Sequence, residues 1–306
     1  MAHAARAPQL FGFVYIVAQR ASTTSYLATS LKLPKEYRAT GINLKGMPLG
    51  ENDRLLTILT KEHGLIRAVA AGARKHRSAM AGRSGLFVVN DLQISVGRNM
   101  DRIKNAEVLQ SFVGLGKTLA KLTAAQYLSE IALMQALSAQ PQEELFLILV
   151  EHLNRIQDAE NKNVLAHLNH GTYHLLAIAG FAPQVHSCCI TQRPVIAQRE
   201  NQKWKAGFSI VGGGVVDLEY DGNLSSDRPN ESNSEVMNNA IHNRISHYLT
   251  APELLAMQEL AQSDLADHIL ETNTTDWLAV ERLLRAYAQY HFDRPIQSSA
   301  LIDNCF

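Results

Sequence analysis

The chain has 306 residues, 46% of them hydrophobic and 19% charged, which excludes wholesale disorder and a coiled-coil or collagen-like rod. Its 29 Lys and Arg balance 29 Asp and Glu, so taken whole the charge gives no sign of a polyanionic partner. No apolar run reaches the roughly 20 residues that a membrane-spanning helix needs, and three cysteines, two of them vicinal, make no disulfide framework and fit a reducing compartment.

The neutral total is a cancellation. Residues 1–36 carry a net +3, residues 37–110 carry twelve basic against six acidic side chains, and residues 111–306 sum to −9. Such asymmetry points to a nucleic-acid or membrane surface on the basic part. In chain order, residues 1–35 hold an apolar run, Leu10 to Ala18, and then a Ser/Thr-rich stretch; they are expected to be a disordered N-terminal extension outside the fold. From Tyr37 the pattern is strand-like. YRATGINLKG, DRLLTILT, LIRAVAAGAR, LFVVNDLQISVGR and DRIKNAEVLQSF are divided by turn residues, and Leu92 to Val96 alternates strictly. Five strands within residues 36–112 predict a small closed barrel, the OB-fold, which is a common single-strand-binding scaffold.

Beyond Gly116 the period is helical, and residues 113–306 are predicted to form a mainly α-helical domain. Helices are expected over Lys117–Ser138, with Leu119 and Leu122 on its apolar flank, over Glu143–Asp158 and over Val164–Ala179. A further one is expected from the Ser232/Glu235 capping box through Met237, Ile241, Ile245 and Tyr248, then another from Pro252 and a last one over Trp277–His291. At about 183–233 the pattern breaks into an irregular insert, with two short strands within Trp204–Val216 and a polar loop over Asp221–Ser234.

The candidate binding residues are the basic side chains of the barrel. Arg67, Arg74, Lys75, Arg77 and Arg83 cluster on a strand end and a Gly-containing loop, and Arg38, Lys45, Arg102 and Lys104 extend the track on neighbouring strands. Mobile cations of this kind neutralise phosphates with little regard to sequence; with Tyr37, Phe87 and Phe112 as the only aromatics here, backbone electrostatics outweighs stacking. Two enzyme-like signals are weaker. Gly114-Leu115-Gly116-Lys117-Thr118 lacks the first glycine of a phosphate loop, Ser111 standing in its place, and reads as a domain junction and helix start. His167, His170 and His174 share a helix face without an HExxH pattern and read as a polar or partner-facing side rather than a metal site. No catalytic residue is expected, and the chain is read as a binding protein rather than an enzyme.

The barrel strings quoted above, continued by HLNHGTYHLLAIAGFAPQVHSCCITQRPV, FSIVGGGVV and ERLLRAYAQYHFDRPIQSS, resemble the RecO family of bacterial DNA repair proteins over roughly residues 36–300. The resemblance implies an OB-fold followed by a helical domain. It implies binding of single- and double-stranded DNA, annealing of complementary strands, and loading of recombinase onto strands coated by single-strand-binding protein. The implied partners are RecR, single-strand-binding protein and, indirectly, the RecA filament; the implied location is cytoplasmic and nucleoid-associated, with no membrane. Many members carry two Cys pairs of a zinc ribbon in the insert. Here Cys188 keeps the first position, but Thr191 replaces its partner and Asp217 and Tyr220 stand near the second pair, so the insert is expected to be a degenerate zinc-ribbon-like element, with no metal or other cofactor. Ala71 replaces the family's frequent Lys before the GAR turn, leaving Arg74 and Lys75 to supply charge there. Two other readings stay open: a protein-binding adaptor, and a metal- or nucleotide-dependent enzyme using the His face or GLGKT.

Overall fold

The computed structural model describes residues 35–98, 100–218 and 245–306, and the expected N-terminal extension, the Asp221–Ser234 loop and the Ser232/Glu235 capping box lie outside these residues. Five strands open the described chain: β1 (Glu36–Leu49), β2 (Asp53–Thr60), β3 (Gly64–Ala70), β4 (Val88–Ser95) and β5 (Asp101–Ser111). They close in the order β1-β2-β3-β5-β4, antiparallel except for a short parallel contact in which Ala68 meets Asp101 and Val69 meets Arg102. This is the expected OB-fold. Strand alternation turns Leu56, Ile58, Ala68, Leu92, Ile94 and Ile103 into the barrel interior, which leaves the intervening residues outside. A short helix, α1 (Ala79–Arg83), bridges β3 to β4, capped by the Ser78 hydroxyl, which accepts from the Met80 N–H.

One outer flank of the barrel is dry. Ile42, Leu44, Leu59, Phe87 and Val89 join Tyr127, Leu128, Ile131 and Leu149 in a single apolar core, so barrel and helices bury one another. Main-chain bonds add to the seam: Leu65 N–H donates to Leu137 O (2.8 Å) and Gln142 N–H to Lys61 O (2.8 Å). Gly64 makes this approach possible. Its φ is +65°, and a Cβ there would sit 2.1 Å from Leu137 O.

The helical body comprises α2 (Leu119–Gln135), α3 (Glu143–Asp158), α4 (Val164–Ile178), α5 (Ala251–Glu259), α6 (Asp267–Leu270), α7 (Thr274–Phe292) and α8 (Ile302–Cys305). α2 starts two residues later than expected, at Leu119, because the Thr118 hydroxyl caps it by accepting from Lys121 N–H. Its packing is also different: Leu119 is 58% exposed, while Ala124, Ala125 and Ala132 let neighbouring helices approach closely.

The insert holds a three-stranded sheet of β6 (Lys205–Ser209), β7 (Gly214–Val216) and β8 (His247–Thr250), in the order β7-β6-β8. The first two are the expected short strands. The third corrects the helix expected through Tyr248: residues 247–250 pair with β6, and the Thr250/Glu253 capping box with Pro252 starts the helix only at Ala251. The donor set of the insert does not fit a zinc ribbon. Cys188 is buried, with its sulfur accepting from the Thr191 N–H (3.4 Å), and among the described residues no three His, Cys, Asp or Glu side chains are placed to hold a metal ion. Buried Val185, Val195, Trp204 and Phe208 hold this element instead.

Candidate nucleic-acid interface

The outer faces of β1, β3 and β5 carry a cationic band. Lys45 is the register partner of Thr57, and Thr57 of Arg67, so the three form one cross-strand row. Two residues beyond Arg67 on the same face is Val69, whose partner is Arg102. Lys45, Arg67 and Arg102 are all exposed because their neighbours in sequence point inward or into the seam.

The loop after β3 brings in the next group. Gly72, at φ +67°, donates its N–H to the Asp53 carboxylate (2.7 Å), and Arg74 N–H donates to Asn52 O (2.8 Å). These bonds fasten the loop to the β1–β2 turn, where the Arg74 guanidinium donates to Gly50 O (3.0 Å). Lys75 and Arg77 follow, both exposed. Arg83 ends α1, and its carbonyl accepts from the buried Asn43 (2.8 Å) and Asn90 (3.0 Å) side-chain amides, which pins this end of the loop to the barrel.

Two predicted residues are placed apart. Arg38 forms an ion pair with Asp91 (2.9 Å), and Lys104 pairs with Glu36, both on the β1–β4–β5 side. A neighbouring carboxylate offsets part of the charge of each. Conversely, Arg54 was missed by sequence reasoning: it opens β2, is half-buried, and its guanidinium reaches Ser84 O and Oγ (3.4 Å each) beside Arg74 and Leu86. The signal was a basic residue next to the β1–β2 turn, masked by its place in an apolar strand. Lys45, Arg54, Arg67, Arg74, Lys75, Arg77, Arg83 and Arg102 form no ion pair with a described carboxylate. Unneutralised cations at this density raise the local anion concentration. On the neighbouring edge Asp101 is occupied, accepting from the Tyr37 hydroxyl (2.6 Å), which burial and that carboxylate hold protonated well above its ordinary range.

The enzyme-like signals resolve into structure. GLGKT spans the 3₁₀ turn Val113–Lys117 and the cap of α2; Gly114 N–H donates to the Gln157 side chain (3.1 Å), and a Cβ on Gly114 would lie 2.6 Å from that side chain, so this glycine serves the junction. His170 and His174 of α4 face inward, because their hydrogen-bond partners sit on α3 and at Gln262. Arg155 Nη1 donates to His170 Nδ1 (3.2 Å), His170 Nε2 and His174 Nε2 both donate to Gln262 O (2.9 and 3.0 Å), and His152 Nε2 donates to His174 Nδ1 (3.0 Å). A guanidinium donating to Nδ1 requires neutral imidazole. Burial, with His174 and Arg155 adding to it, pushes His170 down to about 3; burial pushes His167 down to about 4.

Among the described residues no helix is long and apolar enough to cross a membrane. The family model described as Recombination protein O N terminal matches residues 35–112, and that described as Recombination protein O C terminal matches residues 116–219. Curated relatives named DNA repair protein RecO include one from Nostoc sp., 47% identical over 290 residues that cover 89% of this chain and 97% of the relative. Another, from Gloeothece citriformis, is 47% identical over 89% of this chain and 98% of its own length; a third, from Acaryochloris marina, is 46% identical over 90% and 96%.

Proposed function

The chain belongs to the RecO family, and from that membership we propose that it is a DNA repair and recombination mediator whose barrel binds single- and double-stranded DNA and anneals complementary strands. The observation that supports this most is the set of eight cations without a described carboxylate partner, spread over four strands, the Ala71–Ser78 loop and α1. Two approaching strands repel through their phosphates; a surface that engages phosphates on both lowers that repulsion and lets bases meet. Since the cations read backbone and not base edges, the surface is sequence-tolerant. The chemistry needs no nucleophile, proton transfer or cofactor, and the protein acts without being an enzyme. Arg38 and Lys104, held by Asp91 and Glu36, contribute less than the other seven predicted residues, and Arg54 joins them. In this reading the acidic helical body keeps DNA on one side and docks RecR and single-strand-binding protein, through which recombinase reaches coated strands in the cytoplasm, at the nucleoid.

The test is annealing of complementary oligonucleotides coated with single-strand-binding protein, with wild type and with the Arg74→Glu/Lys75→Glu double variant. Both side chains are exposed, so the fold survives. Annealing falls at least tenfold, and binding to unrelated sequences weakens equally. Unchanged annealing would remove the barrel loop from the function.

A further inference from the structure

Two depressions meet at the end of the barrel. One, a notch of about 390 Å³, lies between Met47, Pro48, Arg54, Arg74, Ser84 and Leu86. The other, a cleft of about 580 Å³, lies along the seam between barrel and helices and is lined by Leu44, Lys45, Leu133, Met134 and Arg294. Both include Gly46 and Leu86, so they are consecutive stretches of one groove. Arg54 and Arg74 line the notch, and Lys45 and Arg294 line the cleft. Met47, in the notch, and Leu86, shared by both depressions, are large apolar side chains 44% and 43% exposed. Glu130 is the carboxylate on the cleft wall, and it already accepts from Ser298 N–H (3.2 and 3.3 Å).

Resting on the DNA-binding reading above, we propose that this groove is the track of an unpaired DNA strand and is what separates single-strand from duplex binding on this protein. A duplex offers phosphates on its outside and keeps its base faces stacked within, so it engages cations on the open barrel face and gains nothing from exposed Met and Leu side chains in a recess. An unpaired strand offers both parts. Its phosphates meet the guanidiniums at the notch and the Lys45–Arg294 pair at the cleft, and its base faces, apolar in every base, lie on Met47 and Leu86. The apolar contact carries no hydrogen-bond code, so the preference is for single-strandedness and not for sequence. The track also crosses the seam, which gives the otherwise acidic helical body one DNA contact, Arg294, outside the barrel.

The experiment measures fluorescence anisotropy of an oligothymidylate and of a mixed-sequence duplex of equal length, at one salt concentration, with Leu86→Ser, Arg294→Glu and, outside the groove, Arg67→Glu. All three side chains are exposed, so the variants fold. The groove variants weaken single-strand binding fivefold or more and duplex binding less than twofold, while Arg67→Glu weakens both alike. Groove variants that lose both substrates equally, or neither, overturn the inference while a weakened Arg67→Glu keeps the barrel reading. Loss confined to the groove variants supports the track and overturns the barrel face. Groove variants that keep both DNA affinities but release single-strand-binding protein assign the groove to a protein partner and overturn the proposal.

Discussion

Lowering the pH from 7 to 5 strips stability from the helical body through its inward-facing histidines. In the folded chain His170 and His167 are held at about 3 and about 4, against an ordinary value of 6.5. The unfolded chain therefore takes up protons that the folded chain refuses, and stability is complete above pH 6.5 and lost as pH falls below it, until the folded values are reached. At pH 5 an unfolded histidine has gained the proton and neither of these two has, which costs about 2 kcal/mol each. A combined loss of about 4 kcal/mol is a large part of a typical folding free energy of roughly 5–15 kcal/mol. Trp204 and Trp277 are both buried in this half of the molecule, so urea unfolding followed by tryptophan fluorescence reads it directly. His167→Gln is the control: the His167 Nδ1 is buried without a partner, so the substitution removes a titrating group and spares the bonded network. It should shrink the pH 7 to 5 difference by about 2 kcal/mol. A wild-type difference below about 1 kcal/mol, or a variant indistinguishable from wild type, would mean that the fold does not hold these histidines neutral.

Two substitutions probe how the barrel is held. Gly64→Ala forces a Cβ against Leu137 O and Gln140 O at a positive φ, backbone on backbone, and is expected to cost more than about 3 kcal/mol in urea unfolding; a stable variant would show that the seam yields. Asn43→Ala removes two buried donors, to Arg83 O (2.8 Å) and Gly85 O (2.9 Å), and is expected to cost about 2 kcal/mol and to speed proteolysis within the Ala71–Leu86 segment, where an unchanged digestion pattern would contradict the anchoring role.

The barrel was legible in the sequence because alternation and turn chemistry act locally: Leu92 and Ile94 point inward while Gln93 is exposed, as the period of two requires. The charge asymmetry likewise marked the part of the chain whose strands and loop carry the exposed cations. Which cations are free was not legible, since Arg38 meets Asp91 and Lys104 meets Glu36 only after strands 53 and 68 residues apart have been brought together. The histidine face misled for the same reason: its spacing is that of a polar helix side, and the groups that make it an interior, Arg155 and the Gln262 carbonyl, come from other elements. Tyr248 was read as helical from an apolar period, whereas the open edge of β6 claims residues 247–250 as a strand. Arg54 was hidden by its strand, and Arg294 by its distance from the barrel in sequence.

The eight cations of the barrel, its loop and α1 that have no described carboxylate partner are expected to bind nucleic acid through phosphates. The most direct test is the salt dependence of the affinity for a single-stranded oligonucleotide. Each phosphate engaged contributes about −0.7 to the slope of log K against log salt, so four to eight contacts predict a slope between about −3 and about −6, reduced in magnitude by roughly 1.4 in the Arg74→Glu/Lys75→Glu variant. An affinity that does not change with salt, or a slope untouched by the double variant, would contradict that expectation.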